Sequence, residues 1–202
     1  MKVNTLTFHA ARNYGAVLQC YALQETLRDF CEEVKVIDYS TEAMRHNNNR
    51  FGKNGIKTLA KKILMLRYSR IFKCKRAKFD AFVDKNIHLT KHYDSVDQLR
   101  VDPPDSDIVI VGSDQVFNPN RCREEREAFY LDFPCSFKTS YAASFGSSDI
   151  PQETKDEIAG YLSSFDALSF REEYGLDICK ALTGRKDACL VCDPVFLVPK
   201  EK

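Results

Sequence analysis

The turn at residues 9–15, His-Ala-Ala-Arg-Asn-Tyr-Gly, gathers an imidazole, a guanidinium, an amide and a phenol beside a glycine. That mixture suits an anionic or hydroxylated ligand. Gly15 would let the backbone approach a bound group, the exposed amides of a helix start favour negative charge, and Arg12 offers a two-pronged grip on carboxylate or phosphate. Asn13 reads equally as a helix cap or a ligand contact, and Tyr14 as a contact or a packing residue. His9 is either a satisfied structural histidine or a catalytic group. In Val-Gly-Ser-Asp-Gln-Val-Phe-Asn-Pro, Ser113, Asp114 and Gln115 place a hydroxyl, a carboxylate and an amide together, a set suited to sugar hydroxyls. Asp114 would serve there as a general base or as a loop-stabilising carboxylate. Arg171 and Glu172 read as a local ion pair at a helix start.

Other chemistries are disfavoured by what the chain lacks. There is no GxGxxG fingerprint and no GxxxxGK[ST] loop, which argues against dinucleotides and P-loop nucleotide hydrolysis. No Ser-His-Asp, Cys-His or metal-binding constellation is legible, and no cofactor is expected. Eight cysteines occur, most in apolar segments where a free thiol acts as a small hydrophobe, so they are expected to be reduced. Cys189 and Cys192 form a CxxC inside a strand-like run, without the partners a structural zinc site needs.

The elements that must position these residues alternate along the chain. Residues 3–8 read as a strand, and Gly15 to about Phe30 as a helix with Val17, Leu18, Tyr21, Leu27 and Phe30 near one face. Residues 33–40 follow as a second strand, completing a βαβ unit. After the turn-rich 102–106, residues 107–119 form an apolar strand entering a polar loop. Residues 137–146 give a further strand, 147–165 a helix capped by Ser148 or Asp149 with Pro151 in its first turn, 166–175 a strand passing into a helix, and 187–198 a last strand. This alternation argues for a doubly wound α/β domain with a mostly parallel sheet. In such a sheet ligands bind outside the carboxyl ends of the strands. The polar clusters fall there: 9–15, 38–40, 112–118, 144–148, 171–172 and 193–194.

Composition sets further bounds. With 202 residues, 44% of them apolar, the chain can bury a sizeable core. A formal net charge of +1 gives no global argument for nucleic acid. Charge is nevertheless uneven: from Ala43 to Phe79 there are twelve Lys and Arg and no Asp or Glu. This basic insertion, at about 43–83, reads as a mobile loop followed by an amphipathic helix with Ile56, Leu59, Ile63 and Leu66 at helical spacing. It is either a solvated helix face or a surface for an anionic partner, peripheral membrane contact included. No apolar run has the length of a membrane span and the N-terminus lacks a signal-peptide pattern, so a cytoplasmic protein is expected.

The ordered set of motifs is specific. LTFHAARNYGAVLQCYALQ (6–24), VIDY (36–39), DIVIVGSDQVFNP (107–119), FYLDF (129–133), SYAASFG (140–146), LSFREEYG (168–175) and CDPVFLV (192–198) together resemble the polysaccharide pyruvyl transferase family. The resemblance implies transfer of pyruvate from phosphoenolpyruvate to a sugar of a cell-surface polysaccharide or its precursor. It implies a Rossmann-like lobe of a glycosyltransferase-B-like architecture, with the site in the cleft between two lobes. Asn13, Tyr14, Gly15, Ser113, Asp114, Gln115, Ser144, Phe145 and Gly146 would line the acceptor side. Arg12, His9 and Arg171 would face the donor, with Asp114 and His9 as the candidate catalytic groups. By the same resemblance residues 1–202 correspond to the N-terminal lobe alone. The C-terminal lobe would be absent or carried by a partner chain, and activity of this chain by itself is not expected. The alternatives are a non-catalytic glycan-binding module and an interaction protein that docks its basic segment on an anionic surface.

Overall fold

The computed structural model describes residues 1–11, 13–47, 71, 73–121 and 125–199, with the backbone alone for 45–47. The loop expected from residue 45 and the helix expected around 56–66 fall largely or wholly outside the described residues, as does Arg12.

Five strands form one parallel sheet: β1 (Lys2–Leu6), β2 (Glu33–Tyr39), β3 (Leu89–Tyr93), β4 (Ile108–Val111) and β5 (Lys138–Ser140), in the order β3-β2-β1-β4-β5. The apolar runs of β1 and β4 occupy the middle, where both faces are covered. A short parallel pair, β6 (Ser169–Phe170) and β7 (Cys189–Leu190), extends the edge through bridges from Thr139 to Ala167 and from Ala143 to Phe170. Serine hydroxyls strengthen that seam. Ser140 Oγ donates to the Ser169 carbonyl at 3.0 Å, and Ser169 Oγ returns a bond to the Ser140 carbonyl at 2.8 Å. The small residues of SYAAS are what allow the strands to come this close. The doubly wound α/β expectation holds, and every pairing in the sheet is parallel.

The connecting helices are α1 (Tyr14–Arg28), α2 (Glu42–Asn47), α3 (residues 73–86), α4 (Val96–Val101), α5 (Arg126–Phe129), α6 (Lys155–Ser163) and α7 (Glu173–Thr183). Helix α1 starts where its cap dictates: Asn13 is extended and its side chain accepts from the Gly15 amide. Its buried face differs from the apolar stripe expected. Leu18 and Phe30 are 44% and 77% exposed, whereas Gln19 and Gln24 are buried. Both glutamines serve as substitutes for backbone partners, which hydropathy cannot register. Gln24, for example, donates to the Asn86 carbonyl and accepts from the His88 amide.

Helix α6 also departs from expectation. Pro151 is held extended at ψ 132°, so a 3-10 turn at Gln152–Thr154 precedes the helix, and neither Ser148 nor Asp149 caps it. The last apolar run is a strand for only two residues before a 3-10 turn at Pro194–Leu197. Strand β3 and helix α4 carry no clear sequence signal. Within β3 only Tyr93 is fully buried, as suits an edge strand.

The largest core cluster is strongly aromatic, and smaller ones form around Val3, Leu23 and Ile110 and around Cys20, Val36 and Ile87. Phe117, fully buried, stacks on Tyr130 at 4.5 Å and meets Phe145, Phe165 and Phe170 at centroid distances of 5.7–6.2 Å. Truncating this hub would open a cavity between four elements that cannot all move inward. Phe117→Ala is expected to cost about 3–5 kcal/mol, read as the change in free energy of urea unfolding; a loss below about 1 kcal/mol would contradict the packing described.

Candidate functional site

Helical crossovers run outward in opposite directions from β1 and β4, so the loops that follow these strands diverge and leave a crevice at their carboxyl ends. A buried polar clamp holds that divergence. Thr7 Oγ1 donates to the Ser113 carbonyl at 3.0 Å and accepts from Gln19 Nε2 at 2.9 Å. Gln19 Oε1 accepts from the Ser113 amide at 3.1 Å, and Ser113 Oγ donates to the Ala142 carbonyl at 3.2 Å. Thr7, Gln19 and Ser113 are all buried, so the clamp joins β1, α1, β4 and the β5 loop without water. Gly112 makes the turn possible: its φ is +115°, and a Cβ there would run into the Tyr141 carbonyl oxygen.

Beside the clamp lies a cavity of about 530 Å³ on the β2 side of the crevice, lined in part by α3. Phe8, Val17 and Phe79 supply apolar wall, and His9, Asp38, Ser40, Arg121 and Glu125 supply polar atoms. Asp38 is held from two sides. Its Oδ1 accepts from His9 Nε2 at 3.0 Å and its Oδ2 from His92 Nδ1 at 3.1 Å. Burial pushes the Asp38 carboxyl up, but the hydrogen bonds and charges of His9 and His92 outweigh it and keep the group below the usual carboxylate range. Asp38 therefore presents an anion to the cavity. His9 is 3% exposed and stands behind it, with Nδ1 buried and without a hydrogen-bond partner. Glu125 is also buried, and the Thr41 hydroxyl donates to its Oε1 at 2.9 Å. Carboxylates, a serine hydroxyl and aromatic walls form a set that takes hydroxyl groups.

The residues singled out in the sequence divide into struts and open groups. Ser113, Ser144 and Phe145 are buried, Ser144 Oγ accepting from the Gly146 amide at 2.9 Å. Asp114, at φ +78°, accepts from the Gln115 amide at 2.8 Å through Oδ1 and does not line the cavity. Arg171 is only partly exposed. Burial opposes its charge, but hydrogen bonds to Glu172 at 2.9 Å and Asp193 at 3.1 Å outweigh that and tie it to β6 and the 3-10 turn. Asn13 caps α1; Gly15 has an ordinary helical backbone with Asn13 Oδ1 at 3.4 Å from an added Cβ. Tyr14 is 64% exposed, its ring 4.7 Å from Phe79, with Lys75 Nζ above both rings. Gln115 and Gly146 lie together near Arg121, and His9 alone of the candidate residues described lines the cavity.

Sequence reasoning missed Asp38, His92, Arg121 and Glu125 as site residues. The first was within reach, since 38–40 was read as the polar end of a strand. His92 was hidden because β3 was not recognised, and nothing local marks Arg121 or Glu125.

Among the described residues no three or more His, Cys, Asp or Glu side chains cluster as a metal would require, and no helix is long and apolar enough to cross a membrane. The described cysteines are free thiols, Cys189 and Cys192 exposed. Tyr141, beside Cys192, has its phenol pushed up to about 12 by burial and then by that thiol.

The depressed Asp38 carboxyl has a defined pH signature. A carboxylate favoured in the folded state stabilises above the unfolded value near pH 3.9, and that contribution fades as pH falls toward the folded value. Asp38→Asn is expected to lower stability by about 1–3 kcal/mol at pH 7. The gap to wild type should close as pH falls below about 4, measured by urea unfolding; a gap that does not narrow there would contradict the arrangement.

A search of curated proteins and a search of solved structures each returned no match. Residues 13–202 match the family model described as polysaccharide pyruvyl transferase. That match takes in all strands but β1 and the clamp residues Gln19 and Ser113, while Thr7, Phe8 and His9 precede it. The chain therefore belongs to the polysaccharide pyruvyl transferase family.

Proposed function

We propose that the chain forms the acceptor side of an enzyme that moves pyruvate from phosphoenolpyruvate onto two hydroxyls of one sugar, in the cytoplasm. Family membership supports the reaction class. The observation that carries the assignment of sides is the cavity with Asp38, Ser40 and Glu125 at the carboxyl edge of the sheet.

In this reaction the methylene carbon of the donor takes a proton and becomes a methyl group, while positive charge develops at the neighbouring carbon. A first sugar oxygen bonds to that carbon, phosphate leaves, and a second sugar oxygen closes the ketal. Two hydroxyl protons are released, one going to carbon and the other to the departing phosphate oxygen, so the chemistry needs proton acceptors near the sugar and cations near the donor. Asp38, held as an anion by two imidazoles, accepts a hydrogen bond from a sugar hydroxyl and orients it for attack. His9 fixes Asp38 from the buried side through its Nε2. A second α/β lobe, in the same polypeptide or a partner chain, would face this edge and complete the donor site, as in a glycosyltransferase-B-like arrangement.

The test is a chimera in which this chain precedes the second lobe of a family member, supplied with carbon-labelled phosphoenolpyruvate and a panel of neutral sugars. The expected product is a labelled ketal methyl group with release of one phosphate, reduced at least tenfold in kcat by Asp38→Asn. A folded chimera that yields no ketal with any sugar would overturn the reading.

A further inference from the structure

Arg121 differs from the other described cations of the crevice in how it is held. Its guanidinium lies 5.2 Å from the centroid of Phe8, and among the described residues it has no carboxylate partner. Arg76, which also lines the cavity, is by contrast shared with Asp80, and Arg171 with Glu172 and Asp193. A guanidinium over a ring is held by its face, which leaves its N–H edge for in-plane contacts. The platform beneath it is rigid, since Phe8 is nearly buried and sits edge-on to Phe129 at 4.8 Å, with Tyr39 behind that ring at 5.9 Å.

A second device steers that edge. Arg121 Nη1 reaches toward Gln115 Oε1 at 3.5 Å, and the same oxygen accepts from Asn118 Nδ2 at 3.3 Å. These two amides occupy space that exists only because residue 146 is glycine. A Cβ on Gly146 would come within 2.6 Å of Asn118 Nδ2 and 2.7 Å of Gln115 Cδ, at a φ of +69°. Gly146, Asn118, Gln115 and Phe8 thus converge on one guanidinium that lines the cavity and has no carboxylate partner among the described residues.

We propose that Arg121 is an anion-receiving group that takes the planar carboxylate of the enolpyruvyl donor. This deepens the transferase reading and rests on it. A carboxylate matches two N–H groups in one plane, whereas a tetrahedral phosphate gains less from a flat, fixed fork. With the carboxylate at Arg121 and a sugar hydroxyl at Asp38, one cavity would receive both substrates.

The test is titration of the purified chain with phosphoenolpyruvate, pyruvate and inorganic phosphate, followed through amide and arginine side-chain signals. Arg121 is exposed, so Arg121→Gln is expected to fold, and an unchanged melting temperature with unchanged His9 and Asp38 signals checks this. The expected result is that phosphoenolpyruvate and pyruvate both shift Arg121, and that Arg121→Gln weakens both at least tenfold. Arg121→Lys, which keeps the charge but loses the fork, should recover less than half of the lost affinity on a logarithmic scale. Equal affinities in wild type and Arg121→Gln, or no shift of Arg121 with any of the three anions, would overturn the proposal. Binding of phosphate without pyruvate would overturn the carboxylate assignment. Because these are binding measurements, the proposal can fail while the chimera still makes ketal, and it can hold if the chimera does not.

Discussion

The interaction on which the rest of the site depends is the buried exchange among Thr7, Gln19 and Ser113. It closes the end of β1 against the end of β4 at the place where the chain departs in both directions. Each member satisfies a backbone or side-chain group that water cannot reach, and a buried donor left alone costs about 1–3 kcal/mol. The clamp therefore sets the spacing of the two loops more firmly than apolar packing would, because hydrogen bonds are directional and contacts between methyl groups are not. Gly112 lets the chain turn under it, and Ser113 carries the constraint on to Ala142.

From that constraint follows a division of labour among the polar residues at the strand ends. Those nearest the clamp make hydrogen bonds that hold loops in place: Ser113, Ser144 and one oxygen of the Asp114 carboxylate. Those one strand outward, on β2 and after β4, keep atoms directed at space. Asp38 is braced by two imidazoles and Arg121 is supported from below by Phe8, so each presents its charge from a fixed position. Opposite charges held in place on the wall of one cavity form an environment prepared for a ligand pair of unequal charge. Conformational entropy is lost when the fold forms rather than when the ligand arrives.

How much of this was legible in the sequence depends on the kind of signal. Strands β1, β2 and β4 announce themselves because central parallel strands are apolar on both faces, and the doubly wound order follows from their alternation with helices. The edge strand β3 and the short α4 do not, since their residues are mostly solvated. The inward face of α1 was misread because Gln19 and Gln24 are buried by hydrogen bonding rather than by hydrophobicity. For the site, the strand-end rule points to the edge of the sheet where the cavity lies. It could not say which polar residues there would be struts. Asp38 gains its role from His92, 54 positions away, and Arg121 gains its role from Phe8 and Gly146. Pairings of this kind are products of topology and leave no local pattern.

The most direct measurement is a crystal structure of the chain soaked with phosphoenolpyruvate and a neutral methyl pyranoside. The account predicts the donor carboxylate within hydrogen-bonding distance of Arg121, a sugar hydroxyl on Asp38, and the Thr7–Gln19–Ser113 clamp undisturbed. Both ligands bound away from the cavity, or a carboxylate seated on the β6–β7 side at Arg171, would contradict it.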